Sequence, residues 1–159
     1  MKITITAVGG IKEKYLRDAI DEYMKRLRPF AKIEIKEIVN EKMSNTPSKA
    51  EKEQTLLREG EKLLKAVSPD AFLFVLDVKG AMLTSEELSA KIDSIALNGK
   101  SEIVFVIGGT FGIGENLRKT ADFCLSFSKM TFTHQMIRVL LLEQIYRSFK
   151  ISRGEKYHW

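Results

Sequence analysis

Residues 103–114 constrain the fold of this chain more than any other stretch of its sequence. They begin with five consecutive apolar residues, Ile-Val-Phe-Val-Ile, and such a run predicts a buried β-strand. Four glycines follow within the next seven positions, and glycine both accepts positive φ and lets another group come close to the backbone. Because a plain strand-to-helix turn needs only one glycine, the segment predicts a ligand-binding loop at the carboxyl edge of a sheet.

The spacing of these glycines fits neither of the two common phosphate-binding fingerprints. No Lys-Ser or Lys-Thr pair directly follows the last glycine, and residues 109–114, Gly-Thr-Phe-Gly-Ile-Gly, lack the G-x-G-x-x-G pattern of dinucleotide-binding loops. A nucleotide-binding oxidoreductase would also need an acidic residue about 20 positions further on, which Glu115 and Asp122 match poorly. That class of enzyme remains an alternative, as does a module that binds RNA without chemistry.

The composition predicts a cytoplasmic globular protein with a single domain over residues 1–159. Apolar residues make up 44% of the chain and charged residues 30%, proportions that suit a folded soluble domain. The longest apolar runs have about five residues, far fewer than a membrane span requires. Cys124 is the only cysteine, which excludes an intramolecular disulfide and a cysteine-based zinc site, and we expect no metal. The net charge of +5 permits an RNA partner without requiring one.

Hydrophobic periodicity alternates between strand and helix along the whole chain. This alternation predicts an α/β fold, with a parallel-rich sheet and helices on both of its faces. An apolar stripe that includes Tyr15 predicts the first helix. Two capping-box pairs, Ser48 with Glu51 and Thr84 with Glu87, predict where the second and third helices begin. The predicted strands are residues 3–8, 33–39, 71–76, 103–107 and 123–126, and the predicted helices are residues 15–27, 48–67, 84–98, 115–120 and 134–152.

Three of the predicted strands end in loops that face the same place. Residues 77–80 are expected to turn away from the third strand, residues 108–114 follow the fourth, and residues 127–133 follow the fifth. In a parallel sheet these loops lie side by side at the carboxyl edge. We therefore expect a small-molecule pocket there, in which Asp77 either contacts a ligand or only orients its own loop.

The last predicted helix is apolar on almost every side, whereas a helix on the surface of a monomer shows a single apolar stripe. We expect it to be covered by its own core and by a second subunit, which predicts a homodimer. The alternative is a core helix of a monomer whose arginines extend their charged ends to solvent. In either arrangement Arg138, Glu143 and Arg147 are charges that need partners.

Together these segments resemble the SPOUT class of RNA methyltransferases, in particular its small single-domain family that methylates N3 of a pseudouridine in large-subunit ribosomal RNA. The similarity covers essentially the whole chain, and the order and spacing of its parts make it specific. The matching segments are Leu76-Asp77 with Lys79-Gly80, residues 105–109 with Gly112, the loop from Phe127 to His134, residues 137–140, residues 143–147, and Tyr157-His158.

The resemblance implies a fold and a cofactor. The C-terminal part of the chain would be tied in a trefoil knot, an exception to the rule that chains avoid threading. S-adenosylmethionine would lie bent within the knot, and an uncharged, glycine-rich pocket suits its cationic sulfonium better than a phosphorylated ligand. The resemblance places the cofactor-binding residues at Leu76, Gly108, Gly109, Phe127, Ser128, Lys129, Met130, Thr131 and Phe132.

The resemblance also implies a homodimer whose active sites borrow residues from the partner and act on 23S rRNA in the assembled ribosome. Methyl transfer requires no covalent nucleophile, but N3 of the base must lose its proton, and a general base or a positive field would help. We expect His134 only to begin the last helix. His158 either contributes to catalysis or belongs to a frayed terminus. The catalytic candidates are Arg138, Tyr157 and His158, and the RNA-binding candidates are Arg153 and Lys156.

Overall fold

The computed structural model describes residues 1–157, in which five strands alternate with five helices. The bounds are β1 Lys2–Val8, α1 Lys14–Leu27, β2 Lys32–Ile38, α2 Lys49–Lys65, β3 Phe72–Met82, α3 Ser85–Leu97, β4 Glu102–Ile107, α4 Glu115–Thr120, β5 Phe123–Ser126 and α5 Met136–Ser152. The strands form one sheet in the order β2-β1-β4-β3-β5, and every neighbouring pair in it is parallel. The predicted α/β class is therefore confirmed.

Helices cover both faces of the sheet because its strands are apolar on both sides. On one face α1, α3 and α5 pack over side chains such as Ile5, Phe74 and Phe105. On the other face α2 and α4 cover side chains that include Val75 and Val106. The middle strand, β4, is buried from residue 103 to residue 107. The strand that leads into the glycine-rich loop is thus as deeply covered as its apolar run predicts.

The apolar stripe predicted for α1 faces the core except at its first residue, Tyr15. Tyr15 keeps 64% of its surface exposed, and the buried residues of the helix are Leu16, Ile20 and Leu27. Successive residues of an α-helix lie about 100° apart around its axis, so Tyr15 and Leu16 cannot face the core equally. The helix ends at Leu27, two residues before Pro29, as expected.

The two predicted capping boxes differ in the structure. At the start of α3 the box is complete, because Thr84 caps the N–H of Glu87 while the Glu87 carboxylate accepts the N–H of Thr84. At the start of α2 the hydroxyl of Ser48 accepts the N–H of Glu51 at 3.1 Å. The Glu51 carboxylate instead accepts both the N–H and the hydroxyl of Ser44, each at 2.9 Å. This second box is therefore only half formed, and Glu51 closes the preceding loop.

Residues 77–80 were expected to turn away from the third strand, and this prediction is wrong. β3 continues to Met82, and both Leu76 and Ala81 pair with Leu125 of β5, so the four residues between them form a bulge. A Cβ on Gly80 would lie 2.5 Å from the carbonyl oxygen of Cys124. The bulge can press this closely against β5 only because residue 80 has no side chain.

The last helix, α5, begins at Met136, two residues later than predicted, and lies between α1 and α3. Every residue from 136 to 151 is buried or half-buried, and Leu141, Leu142 and Ile145 belong to the main core. One chain by itself therefore covers much of this helix. The homodimer and the trefoil knot stay predictions. Among residues 1–157 no helix combines the length and apolarity that crossing a bilayer requires.

The amino edge of the sheet is held together by Glu102, the first residue of β4. Its carboxylate lies 2.9 Å from the ammonium of Lys2 and accepts hydrogen bonds from the hydroxyls of Thr4 and Ser68, both at 2.8 Å. Burial alone would raise the pKa of Glu102. The three donors outweigh that effect and lower the pKa to about 2.

We expect Glu102→Gln to lower the free energy of unfolding by about 2 kcal/mol at neutral pH, because it removes charged hydrogen-bond partners. The folded-state pKa is depressed from an ordinary value of 4.5, so the contribution is complete above about pH 4.5 and disappears as the pH falls towards 2. Urea unfolding at several pH values measures this. Glu34→Gln is the control, since the Glu34 side chain is 43% exposed and its ammonium partner Lys2 lies 3.3 Å away. A pH-independent loss in Glu102→Gln would contradict the prediction.

Candidate functional site

The carboxyl ends of β4, β3 and β5 surround a pocket of about 460 Å³, which is a usual size for a small-molecule site. These three strands are neighbours in the sheet, so the β3 bulge and the loops that follow β4 and β5 meet at the edge where the sequence predicts a pocket. The walls are the β3 bulge, the glycine-rich loop, the segment after β5 and the entrance to α5. The predicted cofactor residues in these walls are Leu76, Gly108, Gly109, Phe127, Ser128, Met130, Thr131 and Phe132.

The glycine-rich loop folds back on itself through its own backbone. The N–H of Gly112 donates to the carbonyl of Gly109 at 3.1 Å, and the two residues form an isolated antiparallel bridge. A Cβ on Gly108 would overlap the carbonyl oxygen of Gly112. Glycine is therefore required at position 108 because the loop itself fills the space of a side chain. Ile107 and Ile113, at either end, add apolar surface to the pocket.

The pocket was expected to be uncharged, and this expectation is wrong. Asp77, in the β3 bulge, accepts hydrogen bonds from Nε of Arg118 at 2.5 Å and from the backbone N–H of Lys79 at 3.2 Å. Burial alone would raise the pKa of Asp77, but these donors outweigh it and the pKa lies below its usual value. Asp77 and Arg118 both line the pocket. An acidic residue directly after a buried strand was a signal for Asp77, whereas nothing in the sequence pattern singled out Arg118.

The segment after β5 is shaped by its own serine hydroxyls. Ser126 donates to the carbonyl of Ser128 at 3.0 Å, and the N–H of Met130 donates to the hydroxyl of Ser128 at 3.0 Å. Met130 and Phe132 keep 73% and 43% of their surfaces exposed and line the pocket. Lys129, predicted with them, is exposed and does not line it.

His134 was expected only to begin the last helix, but it lines the pocket just before α5. Burial, and then the positive charges of Arg138 and Lys12, lower the pKa of His134. The imidazole is therefore neutral at pH 7, and a neutral imidazole has one nitrogen that can accept a proton. The turn after β1 lies alongside, since a Cβ on Gly9 would be 3.4 Å from Nε2 of His134.

Arg138 is fully buried one turn further along α5 and does not line the pocket. Its guanidinium donates to the Glu37 carboxylate at 2.7 Å and to the carbonyl oxygens of Val8 and Gly9 at 3.0 and 2.5 Å. These bonds tie the start of α5 to the ends of β1 and β2. The catalytic role of Arg138 stays a prediction, and in this arrangement the residue would act through neighbours such as His134.

We expect Arg138→Met to lower the free energy of unfolding by about 3 kcal/mol, because two carbonyl oxygens lose their donor and the half-exposed Glu37 loses its ion pair with the buried guanidinium. Denaturant unfolding measures this loss. The control is Lys14→Met, which removes an i,i+4 pair with Asp18 from a side chain that is 84% exposed. That change should cost less than about 0.5 kcal/mol. Similar losses in the two variants would show that Arg138 does not anchor α5.

The tail after α5 packs against its own chain. The hydroxyl of Tyr157 donates to Glu143 at 3.2 Å, and its ring lies edge-on to Tyr146 with the centroids 4.9 Å apart. Burial, followed by the effects of Tyr23 and Glu143, raises the pKa of Tyr157. The phenol is therefore neutral at physiological pH. His158, the other catalytic candidate of the tail, lies outside the described residues.

The two RNA-binding candidates of the tail are also distant from the pocket wall. The guanidinium carbon of Arg153 lies 4.3 Å from the ring centroid of Phe30. Phe30 comes just before β2, so this contact is at the amino edge of the sheet, opposite the pocket. Lys156 is exposed. No residue from 153 to 157 lines the pocket of its own chain.

Comparison with known proteins places the chain in a family. The family described as “Predicted SPOUT methyltransferase” matches residues 1–158. Two relatives are named “Ribosomal RNA large subunit methyltransferase H”, one from Bifidobacterium adolescentis and one from Acetivibrio thermocellus. Each is 51% identical over 158 residues, which cover 99% of this chain and 99% of the relative. The chain therefore belongs to the SPOUT methyltransferase family.

Proposed function

We propose that this protein transfers a methyl group from S-adenosylmethionine to N3 of a pseudouridine in 23S rRNA of the large ribosomal subunit. The observation that carries the proposal is the meeting of the β3 bulge and the loops after β4 and β5 at one pocket, whose walls hold eight of the nine residues predicted to bind the cofactor. The names of the two relatives support ribosomal RNA as the substrate. The choice of base and of N3 comes from the resemblance of the sequence.

The residues of the pocket suit this cofactor. Ile107, Ile113, Leu125 and Ile137 line it and supply the apolar surface that an adenine ring needs, while the loop backbones supply polar groups. Asp77 and Arg118 place a paired carboxylate and guanidinium in the wall, so the polar part of the pocket carries both signs of charge, as the methionine moiety of the cofactor does. When bound, S-adenosylmethionine supplies an electrophilic methyl group.

The chain's own residues have to orient the target base and remove its N3 proton. His134 is the acceptor that we propose, because it lines the pocket and its lowered pKa keeps the imidazole unprotonated. The buried charge of Arg138 contributes to that low pKa. Holding the base and the methyl group in line can itself lower the barrier by on the order of 7–11 kcal/mol.

We further propose that the tail of each chain serves the pocket of a partner copy. The chain's own tail does not line its pocket, and α5 has 17 residues, a length of about 25 Å. Two α5 helices packed antiparallel would carry the tail of one chain to the pocket of the other. Tyr157 and His158 would then supply catalytic groups in trans, and Arg153 and Lys156 would bind RNA. A solution mass of one 18.1 kDa chain at micromolar concentration would exclude this arrangement.

The test of the proposed function is methyl transfer by the purified protein. Ribosomes and protein-free 23S rRNA, both lacking the modification, are incubated with labelled S-adenosylmethionine, and the product nucleoside is identified by mass spectrometry. We expect N3-methylpseudouridine, formed mainly on assembled ribosomes.

Calorimetric titration with S-adenosylmethionine and with NADH separates this proposal from the two alternatives, an oxidoreductase and a module that binds RNA without chemistry. Binding of NADH alone would indicate an oxidoreductase, and binding of RNA without either cofactor would indicate a non-catalytic module.

A further inference from the structure

We infer that Arg118 receives the carboxylate of the methionine moiety of S-adenosylmethionine and so makes the pocket selective for an amino-acid group. The inference rests on the proposed function. Its basis is an arginine that lines the pocket, keeps 31% of its side chain exposed and is held at Nε by Asp77.

The guanidinium of Arg118 keeps donors free for a ligand. Nε is used by Asp77 at 2.5 Å. Nη1 lies 3.6 Å from the Glu115 carboxylate, which is longer than a hydrogen bond. Within residues 1–157 no acceptor lies within hydrogen-bond reach of either terminal nitrogen of Arg118. Two parallel N–H groups of a guanidinium match the two oxygens of a carboxylate.

Asp77 orients this guanidinium before a ligand arrives. The Asp77 side chain is only 5% exposed, and the backbone N–H of Lys79 holds it at 3.2 Å. An arginine fixed in this way loses less conformational freedom when it binds a ligand than a freely rotating one. The pair therefore holds the guanidinium of Arg118 ready in the wall of the pocket.

The charges around Arg118 favour an amino-acid group over a phosphate. Asp77 and Glu115 both lie within 3.6 Å of the guanidinium, so two carboxylates already surround it. A dianionic phosphate would be repelled by them more strongly than a monoanionic carboxylate. The same two carboxylates attract the ammonium group that an amino acid carries next to its carboxylate. The site thus complements both charges of the methionine moiety.

The test compares S-adenosylmethionine with its decarboxylated analogue, which keeps the sulfonium and the amine. We expect Arg118→Met to lower the affinity for S-adenosylmethionine at least about tenfold in calorimetric titration. The affinity for the analogue should change less than about twofold. Lys119→Met, an exposed neighbour on α4 outside the pocket wall, should change neither affinity. Equal weakening of both ligands in Arg118→Met would overturn the inference, because Arg118 would then only shape the pocket. A wild-type protein that binds neither ligand would instead overturn the proposed cofactor.

A second variant keeps the test valid if the unpaired Asp77 carboxylate destabilises Arg118→Met. The double variant Asp77→Asn/Arg118→Met removes that carboxylate, and Asp77→Asn alone is its reference. The double variant should lose the preference for S-adenosylmethionine over the analogue, whereas Asp77→Asn should retain most of it. A double variant that discriminates as strongly as its reference would refute the role of Arg118.

Discussion

Replacement of Gly108 by alanine should weaken S-adenosylmethionine binding by on the order of 100-fold, since displacements of about 1 Å in a binding site have effects of this size. The new methyl group would overlap the carbonyl oxygen of Gly112, so the whole loop has to move. The core strands lie beneath the loop and remain packed, and the protein should stay folded. Calorimetric titration, with circular dichroism to verify the fold, measures the effect.

Gly10→Ala is the matched control for this prediction. A Cβ on Gly10 would meet only the outer oxygen of the Glu37 carboxylate, at 3.3 Å, and no backbone atom, and Gly10 does not line the pocket. This variant should bind the cofactor as the wild type does. A folded Gly108→Ala variant with wild-type affinity would show that the glycine-rich loop does not bind the cofactor.

Deletion of residues 157–159 should cut methyl transfer at least about tenfold and leave cofactor affinity within about twofold, because loss of a catalytic group such as Tyr157 or His158 has at least this effect on rate. The tail of a chain does not line its own pocket, so the cofactor site stays intact. Tyr157→Phe is the milder variant, which keeps the ring against Tyr146 and removes only the hydrogen bond to Glu143. Full activity after the deletion would assign the tail no part in the reaction.

Mixing the two inactive variants tests whether the tail acts in trans. A mixed dimer of Gly108→Ala with the truncated chain combines the intact pocket of one chain with the intact tail of the other. Random co-assembly should therefore restore up to about a quarter of wild-type activity, since half of the dimers are mixed and each has one complete site. No recovery in dimers shown to be mixed would place tail and pocket in the same chain.

Elements with a local signal could be predicted from the sequence alone. The apolar run of β4, the complete capping box at Thr84 and the short helix α4 agree with their predictions because each depends on neighbours within a turn or within one strand. The place of the pocket could also be predicted, since parallel strands bring their loops to the same edge. The place of His134 in the pocket wall was not predicted, because its position in the sequence alone does not reveal that this end of α5 meets the pocket.

The amino-acid sequence by itself determined the α/β class, the alternation of strands and helices, and the glycine-rich loop that lines the pocket, since hydrophobic period and glycine placement are properties of short segments. Only the tertiary structure decided which distant side chains meet. Arg118 and Asp77 are 41 positions apart, and Arg138 and Glu37 are 101 positions apart. Both pairings depend on how the strands are ordered in the sheet, and the pair of Arg118 with Asp77 depends also on the bulge in β3. Periodicity within a segment contains no information on strand order, because any order buries the same apolar faces.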